Sequence, residues 1–316
     1  MRAAVLRTFG APLELEERPE PEPAGDEVLV RVRGAGVCRS DLHIVDGRFP
    51  ELPLPLVPGH EIAGEADGRD VLVYASWGCG ACVHCRRGEE QLCTRAAEAG
   101  WLRDGGFAEH VLVPSSRYLL PLDGLDPVRA APLADAGVTS YRAVRRVRDA
   151  LRAGETAVVI GAGGLGQFAI QYLRLLTDAR VVAVDPAEAK RRRALALGAD
   201  EAPAPDELDR PAQVVLDFVG SDGTLALAAR TVQRAGAVVL VGEGGGTLPF
   251  AFDAAHYETS FTTSAWGSLD DLAAVVDLAR RGELDWHVET LPLERANEAL
   301  ARLRAGDVLG RLVLAP

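Results

Sequence analysis

What this chain of 316 residues lacks narrows its function before any motif is read. Lysine is nearly absent: Lys190 is the sole one, and it stands outside any GxxxxGK loop, so P-loop phosphate chemistry has no residue to run on. A Schiff-base mechanism has only that one amine to use. Basic charge is short as well, with 34 Lys and Arg against 46 Asp and Glu, a net charge of −12 and a pI near 5.1. Such a chain repels phosphate backbones at long range, and no nucleic-acid partner is expected. No uninterrupted apolar run approaches the ~18 residues that span a bilayer, so no membrane partner is expected either. At the N-terminus Arg7 and Thr8 follow Leu6 too soon for the ~7 to 15 residue apolar core of a signal peptide. The expected compartment is the cytoplasm. What remains is 48% apolar and 25% charged, an ordinary globular composition with length for about two domains of ~150 residues and a cleft.

The chain has five cysteines, and four of them crowd into one segment: Cys79, Cys82, Cys85 and Cys93, with gaps of two, two and seven residues. A reducing cytosol disfavours disulfides. Two-residue gaps let neighbouring thiolates converge on one ion, and a longer return brings in the fourth, which closes a tetrahedron around Zn²⁺. A ferredoxin run would place its fourth cysteine about three residues on and follow it with proline; here the gap is seven and Thr94 follows. His84 lies inside the cluster and is expected to face solvent. The leftover Cys38 sits in Gly36-Val37-Cys38-Arg39-Ser40-Asp41-Leu42-His43, and Gly59-His60-Glu61 follows 21 residues after it. A thiolate, an imidazole and nearby carboxylates are the stock of an open zinc site, in which three protein ligands leave one position for water or substrate.

A third signal lies further along. The β-branched run Thr156–Ile160 is followed by Gly161-Ala162-Gly163-Gly164-Leu165-Gly166 and then by a helical stretch through Phe168, Ile170, Leu173 and Leu176. In a strand, turn and helix of this kind the glycines allow the turn and a close approach of backbone to a pyrophosphate, which rests on the helix N-terminus. The next strand, Arg180–Val184, ends at Asp185, 19 residues after Gly166. A carboxylate there accepts the adenosine ribose hydroxyls and repels a 2′-phosphate, so the expected cofactor is NAD. Asp185 also precedes Pro186 and suits a helix cap. Further strands at Val214–Val219, Ala237–Val241 and Ser260–Ala265 complete a doubly wound parallel sheet of the Rossmann type. Residues before about 130 read as short strands such as Glu27–Val32 and Val71–Ala75, broken by Gly and Pro, which favours a β-rich, barrel-like domain. A helix over Leu269–Arg281 and the segment Leu291–Leu314 close the chain.

Together these residues resemble the zinc-dependent alcohol dehydrogenases of the medium-chain dehydrogenase/reductase superfamily, over nearly the whole chain. The likeness rests on the segments around Cys38 and His60, the cysteine lobe, Gly105-Gly106-Phe107-Ala108-Glu109-His110, Asp135-Ala136-Gly137-Val138-Thr139-Ser140-Tyr141, the glycine loop and Leu197-Gly198-Ala199-Asp200. It implies a GroES-like catalytic domain over residues 1–135, with the structural-zinc lobe at 79–93. A Rossmann NAD-binding domain over 136–266 and a C-terminal segment, 267–316, that returns to the catalytic domain would follow. It implies two zinc ions, one catalytic and one structural, a small alcohol, aldehyde or ketone as substrate, and a homodimer or homotetramer. Cys38 and His60 would be catalytic-zinc ligands, with Asp41 orienting His60. Ser40 would pass the alcohol proton through the nicotinamide ribose to His43 while an alkoxide forms on zinc and its carbon gives up a hydride. Thr139 and Leu165 would press on the nicotinamide ring, and Arg311 would meet the pyrophosphate.

Two departures stand out. Many relatives place a cysteine where this chain has Asp135; a carboxylate is an accepted zinc ligand, so Asp135 is the expected third one, with Glu61, beside His60, as the competitor. The hairpin after Gly64 is short, only Glu65 to Asp70 remaining. Two other readings are a polyol or amino-alcohol dehydrogenase on the same scaffold, judged by whether Phe49, Trp77, Trp101 and Trp266 line the cleft, and a non-catalytic NAD(H) sensor. The set Cys38, Ser40, His43 and His60 argues against the sensor.

Overall fold

A computed structural model describes residues 1–249 and 251–316. It divides into two compact units, Met1–Val138 with Gly267–Glu283 and His287–Pro316, and Thr139–Trp266 with Leu284–Trp286. Leu284–Trp286, expected with the C-terminal segment, groups instead with the second unit, and side-chain contacts explain why. The Trp286 ring packs 6.1 Å from that of Phe168, and Gln171 donates to the Asp285 carbonyl at 2.9 Å while accepting from its N–H at 2.7 Å.

The second unit is built on β-branched runs that are buried on both faces, as parallel strands are. Its sheet has the order Arg180–Val184, Thr156–Ile160, Ala212–Asp217, Val232–Leu240, Ser260–Thr263, and every pairing is parallel. Helices Gly166–Leu176, Glu188–Ala196 and Asp222–Thr231 supply crossovers of the kind that parallel neighbours require. Val158, Ile160, Val182, Val215, Leu227 and Val238 form a common core, each such side chain contributing roughly 1.5–3 kcal/mol on burial. Because Thr156–Ile160 lies between the second and third strands of the chain order, the connections diverge at its carboxyl end. That end is where open α/β sheets bind ligands, and Gly161 follows directly.

In the first unit one long strand, Val28–Val37, organises a seven-stranded sheet. Its first half pairs with His110–Val113 and its second with Arg311–Ala315, while Glu61–Ala66 runs along the other edge. Arg69–Val73 and Leu119–Pro121 extend one side and Val288–Pro292 the other. The shortened hairpin closes through Asp67 and Gly68, at φ +48° and +71°, a two-residue turn whose twist suits antiparallel strands. Leu6, Val30, Ile62, Leu72, Phe107 and Leu133 are buried beneath this sheet and its loops.

Candidate active site and metal centres

Strand register builds the first site. Gly36 pairs with Glu61 across the sheet, which makes neighbours of Cys38, just past one strand, and His60, just before the next. Asp135 arrives from the junction between the turn Ala131–Ala134 and the helix Ala136–Val147. Cys38, His60 and Asp135 are all buried, and each offers a ligand atom within 4.8 Å of the others. Asp135 Oδ2 stands 3.4 Å from Cys38 Sγ and 3.5 Å from His60 Nε2. In their deprotonated states a thiolate, a ring nitrogen and a carboxylate can only accept, so what they converge on is a cation, and the set suits zinc with a position left open.

Asp41 ties this site together. Cys38 caps the helix Arg39–Val45, and the Asp41 side chain reaches back to it. Asp41 Oδ2 accepts the Cys38 N–H at 2.7 Å, and Oδ1 accepts the Gly59 N–H at 3.3 Å while lying 3.4 Å from His60 Nδ1. One buried carboxylate thus holds both ligand-bearing segments and leaves His60 Nε2 turned toward Asp135. Burial alone lowers the His60 pKa, but Asp41 and hydrogen bonds to Asp135, Asp41 and Cys38 outweigh it and hold it well above 6.5. Ser40 and His43, three residues apart on that helix, share one face, and Ser40 Oγ is 3.7 Å from Cys38 Sγ.

Glu61 goes elsewhere. Its Oε1 pairs with Arg311 Nη2 at 2.6 Å and accepts the Ala136 N–H at 3.2 Å. Burial, opposed by the Arg311 guanidinium, pushes the carboxyl up to about 8. A Cβ on Gly36 would stand 1.8 Å from Glu61 Oε2, so glycine there makes room for this carboxylate. Arg311 is a buried side chain, 4% exposed, that also lies 3.3 Å from Asp135 Oδ2 and 3.6 Å from Cys38 Sγ. A desolvated guanidinium takes the nearest acceptors; among the described residues its Nε has no hydrogen-bond partner. The pairing of Glu61 with Arg311 escaped sequence reasoning, and no local signal could have revealed partners so far apart in the chain.

The second centre is local. The sulfurs of Cys79, Cys82, Cys85 and Cys93 lie within 4.8 Å of one another, and none is in a disulfide. Backbone N–H groups of Cys79 and Cys85 donate to Cys93 Sγ and Cys82 Sγ at 3.4 and 3.5 Å. Glu90 anchors the lobe, accepting from the Gly78 N–H at 2.9 Å and the Tyr118 hydroxyl at 2.7 Å, with Arg117 at 2.9 Å. Four convergent thiols on a turn are the donor set of a closed zinc site. His84 is half-buried, with Nδ1 3.7 Å from Glu89. Trp77 is a core residue whose Nε1 donates to the Tyr74 carbonyl at 2.7 Å, whereas Phe49 and Trp101 are half-buried and pair at 4.8 Å.

In the second unit the glycine loop turns at the switch point. A Cβ on Gly166 would fall 1.9 Å from the Gly161 carbonyl oxygen, so strand end and helix start meet only through glycine. Asp185 is buried; Oδ2 accepts the Ala162 N–H at 3.0 Å and Oδ1 the Ala187 N–H at 2.9 Å. Each oxygen keeps a second lone pair. Ser140, which sequence reading passed over beside Thr139, donates to the Leu165 carbonyl at 2.8 Å and so ties the helix bearing Thr139 to the loop.

Residues 24–124 match the model of the alcohol dehydrogenase GroES-like domain, and residues 164–281 that of the zinc-binding dehydrogenases. An NAD-dependent alcohol dehydrogenase of Sulfurisphaera tokodaii is 38% identical, with all of both chains covered. A D-arabinose 1-dehydrogenase (NADP(+)) of Saccharolobus solfataricus is 37% identical over all of this chain and 97% of its own. Among solved structures, the alcohol dehydrogenase of Aeropyrum pernix superposes with TM-score 0.94 at 34% identity over 100% of both chains. The acetophenone reductase of Geotrichum candidum, in complex with NAD, does so with 0.92 at 30% over 100% of this chain and 97% of its own. Fold and sites thus define an oxidoreductase that joins a GroES-like domain to a Rossmann-type sheet. The chain belongs to the zinc-dependent alcohol dehydrogenase family.

Proposed function

We propose that this enzyme interconverts a small alcohol and its aldehyde or ketone with NAD, using Cys38, His60 and Asp135 as the catalytic-zinc ligands. The observation that carries this reading is the buried convergence of those three donors beside the helix face that bears Ser40 and His43. Zinc held there would lower the pKa of an alcohol hydroxyl, and NAD would supply the hydride acceptor. With zinc in place of the Nε2 proton, Asp41 would keep the remaining proton of His60 on Nδ1 and so present Nε2 as a ligand. The Ser40 hydroxyl would accept the alcohol proton as it gives its own toward His43 by way of the nicotinamide ribose, and His43 passes a proton outward, since the metal alone gives it no exit. Glu61 stays with Arg311 and leaves the third ligand position to Asp135. Asp185 receives the adenosine ribose and disfavours NADP by charge, Thr139 and Leu165 bear on the nicotinamide ring, and the backbone of Gly161–Gly166 receives the pyrophosphate. Cys79, Cys82, Cys85 and Cys93 hold the structural zinc.

A polyol substrate is the second reading, favoured by the sugar dehydrogenase among the relatives. The enzyme works as a homodimer or homotetramer in the cytoplasm. Two features support assembly. Ser260–Thr263 is a sheet-edge strand, and the segment before it leaves Phe252 and Tyr257 89% and 55% exposed with rings 5.6 Å apart. The test is a panel of simple alcohols, ketones and sugars assayed with NAD and NADP by the absorbance of the reduced cofactor. Turnover of simple alcohols with NAD is expected. Turnover of sugars alone would move the substrate to the polyol class, and equal or better kcat/KM with NADP would remove the role given to Asp185.

A further inference from the structure

The cysteine lobe carries one contact that neither ligation nor its backbone turns require. Arg95 follows Cys93 by two residues, and its backbone N–H donates to Cys93 Sγ at 3.4 Å. Its exposed side chain then folds back across the lobe, and Nη2 donates to Cys79 Sγ at 3.2 Å. Among the described residues no carboxylate takes this guanidinium, so the sulfur is its partner. The other sulfur contacts in the lobe come from backbone N–H groups or neighbouring thiols. Cys79 itself is only half-buried, as are Cys82 and Cys85.

A zinc ion held by four thiolates carries a twofold negative charge, and its sulfurs stay nucleophilic. A charge-assisted N–H···S bond draws electron density from the sulfur and occupies a lone pair. We propose that Arg95 is a positioning residue that guards the structural zinc, blunting attack at Cys79 and so slowing loss of the metal. The inference rests on the reading of this lobe as a zinc site and is independent of the catalytic assignments.

Alkylation supplies the test. With iodoacetamide, Cys79 Sγ bonds to the reagent's methylene carbon as the carbon–iodine bond breaks and iodide leaves. The thioether formed is neutral and a poor ligand, so zinc passes to a chromogenic chelator. Holoenzyme with its zinc content measured beforehand is treated with iodoacetamide, and zinc release is timed while modified cysteines are mapped by mass spectrometry. Arg95→Met is expected to release lobe zinc roughly five-fold faster, with Cys79 modified first. Arg95→Lys is expected to fall between it and the parent, because an ammonium keeps the charge and loses the fork geometry. Both variants should keep the parental kcat. Release from Arg95→Met at the parental rate would overturn the proposal, as would faster release with modification spread evenly over the four cysteines, the mark of a lobe merely loosened. The zinc reading is checked separately: a Cys38→Ser protein with no bound zinc would overturn it and this proposal together, whereas a guard that fails leaves it standing.

Discussion

The two metal-ligand clusters of this chain are built in opposite ways. The four thiols come from 15 consecutive residues, three of them half-buried on short turns and Cys93 buried, and are steadied by backbone N–H groups of the same loop. Cys38, His60 and Asp135 come from three separate segments, are buried, and meet only because the sheet sets Gly36 beside Glu61 and Asp41 bridges two loops. A local cluster can close around its ion, since its ligands have little else to do. A dispersed cluster inherits its spacing from a rigid sheet, and three ligands held in that way leave a coordination position for chemistry. One metal site therefore bears on the stability of a lobe and the other on the reaction.

The sharpest way to break this contrast is at Asp135. Asp135→Ala is expected to lose roughly 10³-fold or more in kcat/KM, as metal-based charge stabilisation worth several kcal/mol disappears, and to lose one zinc ion while the lobe keeps its own. Elemental analysis beside kinetics checks this. If Glu61→Ala has that effect and Asp135→Ala does not, the third ligand is misassigned. A smaller loss, roughly 10² in kcat with NAD affinity nearly kept, is expected for Ser40→Ala, because general acid–base steps are worth about 10² to 10⁴. Parental turnover by that variant, with hydride transfer shown to be rate-limiting, would place the proton path elsewhere. The least effect on the chemistry belongs to the lobe. Cys82→Ser should lower Tm by roughly 5 °C or more as the lobe loses its ion, with kcat per folded molecule close to parental at low temperature. Calorimetry together with an active-site titration reads both quantities, and a collapse of kcat at unchanged Tm would erase the distinction between the two sites.

Legibility in the sequence follows the same division. Thr156–Ile160 and Arg180–Val184 have the expected bounds, because β-branched runs ending at glycine or aspartate state their own limits. Val28–Val37 runs five residues past the expected end at Val32, since partners distant in the chain, Glu61–Ala66 and Arg311–Ala315, keep pairing with it. Trp77 is drawn into the core by its bond to the Tyr74 carbonyl, which no aromatic count reveals. The cysteine lobe and the glycine loop could be read whole, each being a short run whose chemistry depends on spacing along the chain.

By itself, then, the sequence determined a thiolate cluster, a glycine turn with an acid one strand on, and the identities of Cys38 and His60 as candidate ligands, because those features are written in contiguous residues. Only the tertiary structure decided which carboxylate stands with Cys38 and His60. Asp135 and Glu61 are both acidic and both buried, and what separates them is the position of one cation. Arg311, brought to this point by a strand from the end of the chain, takes Glu61 at 2.6 Å and holds Asp135 less closely, at 3.3 Å. A buried guanidinium settles against the nearest acceptor, and sheet pairing, which no local spacing encodes, places that neighbour.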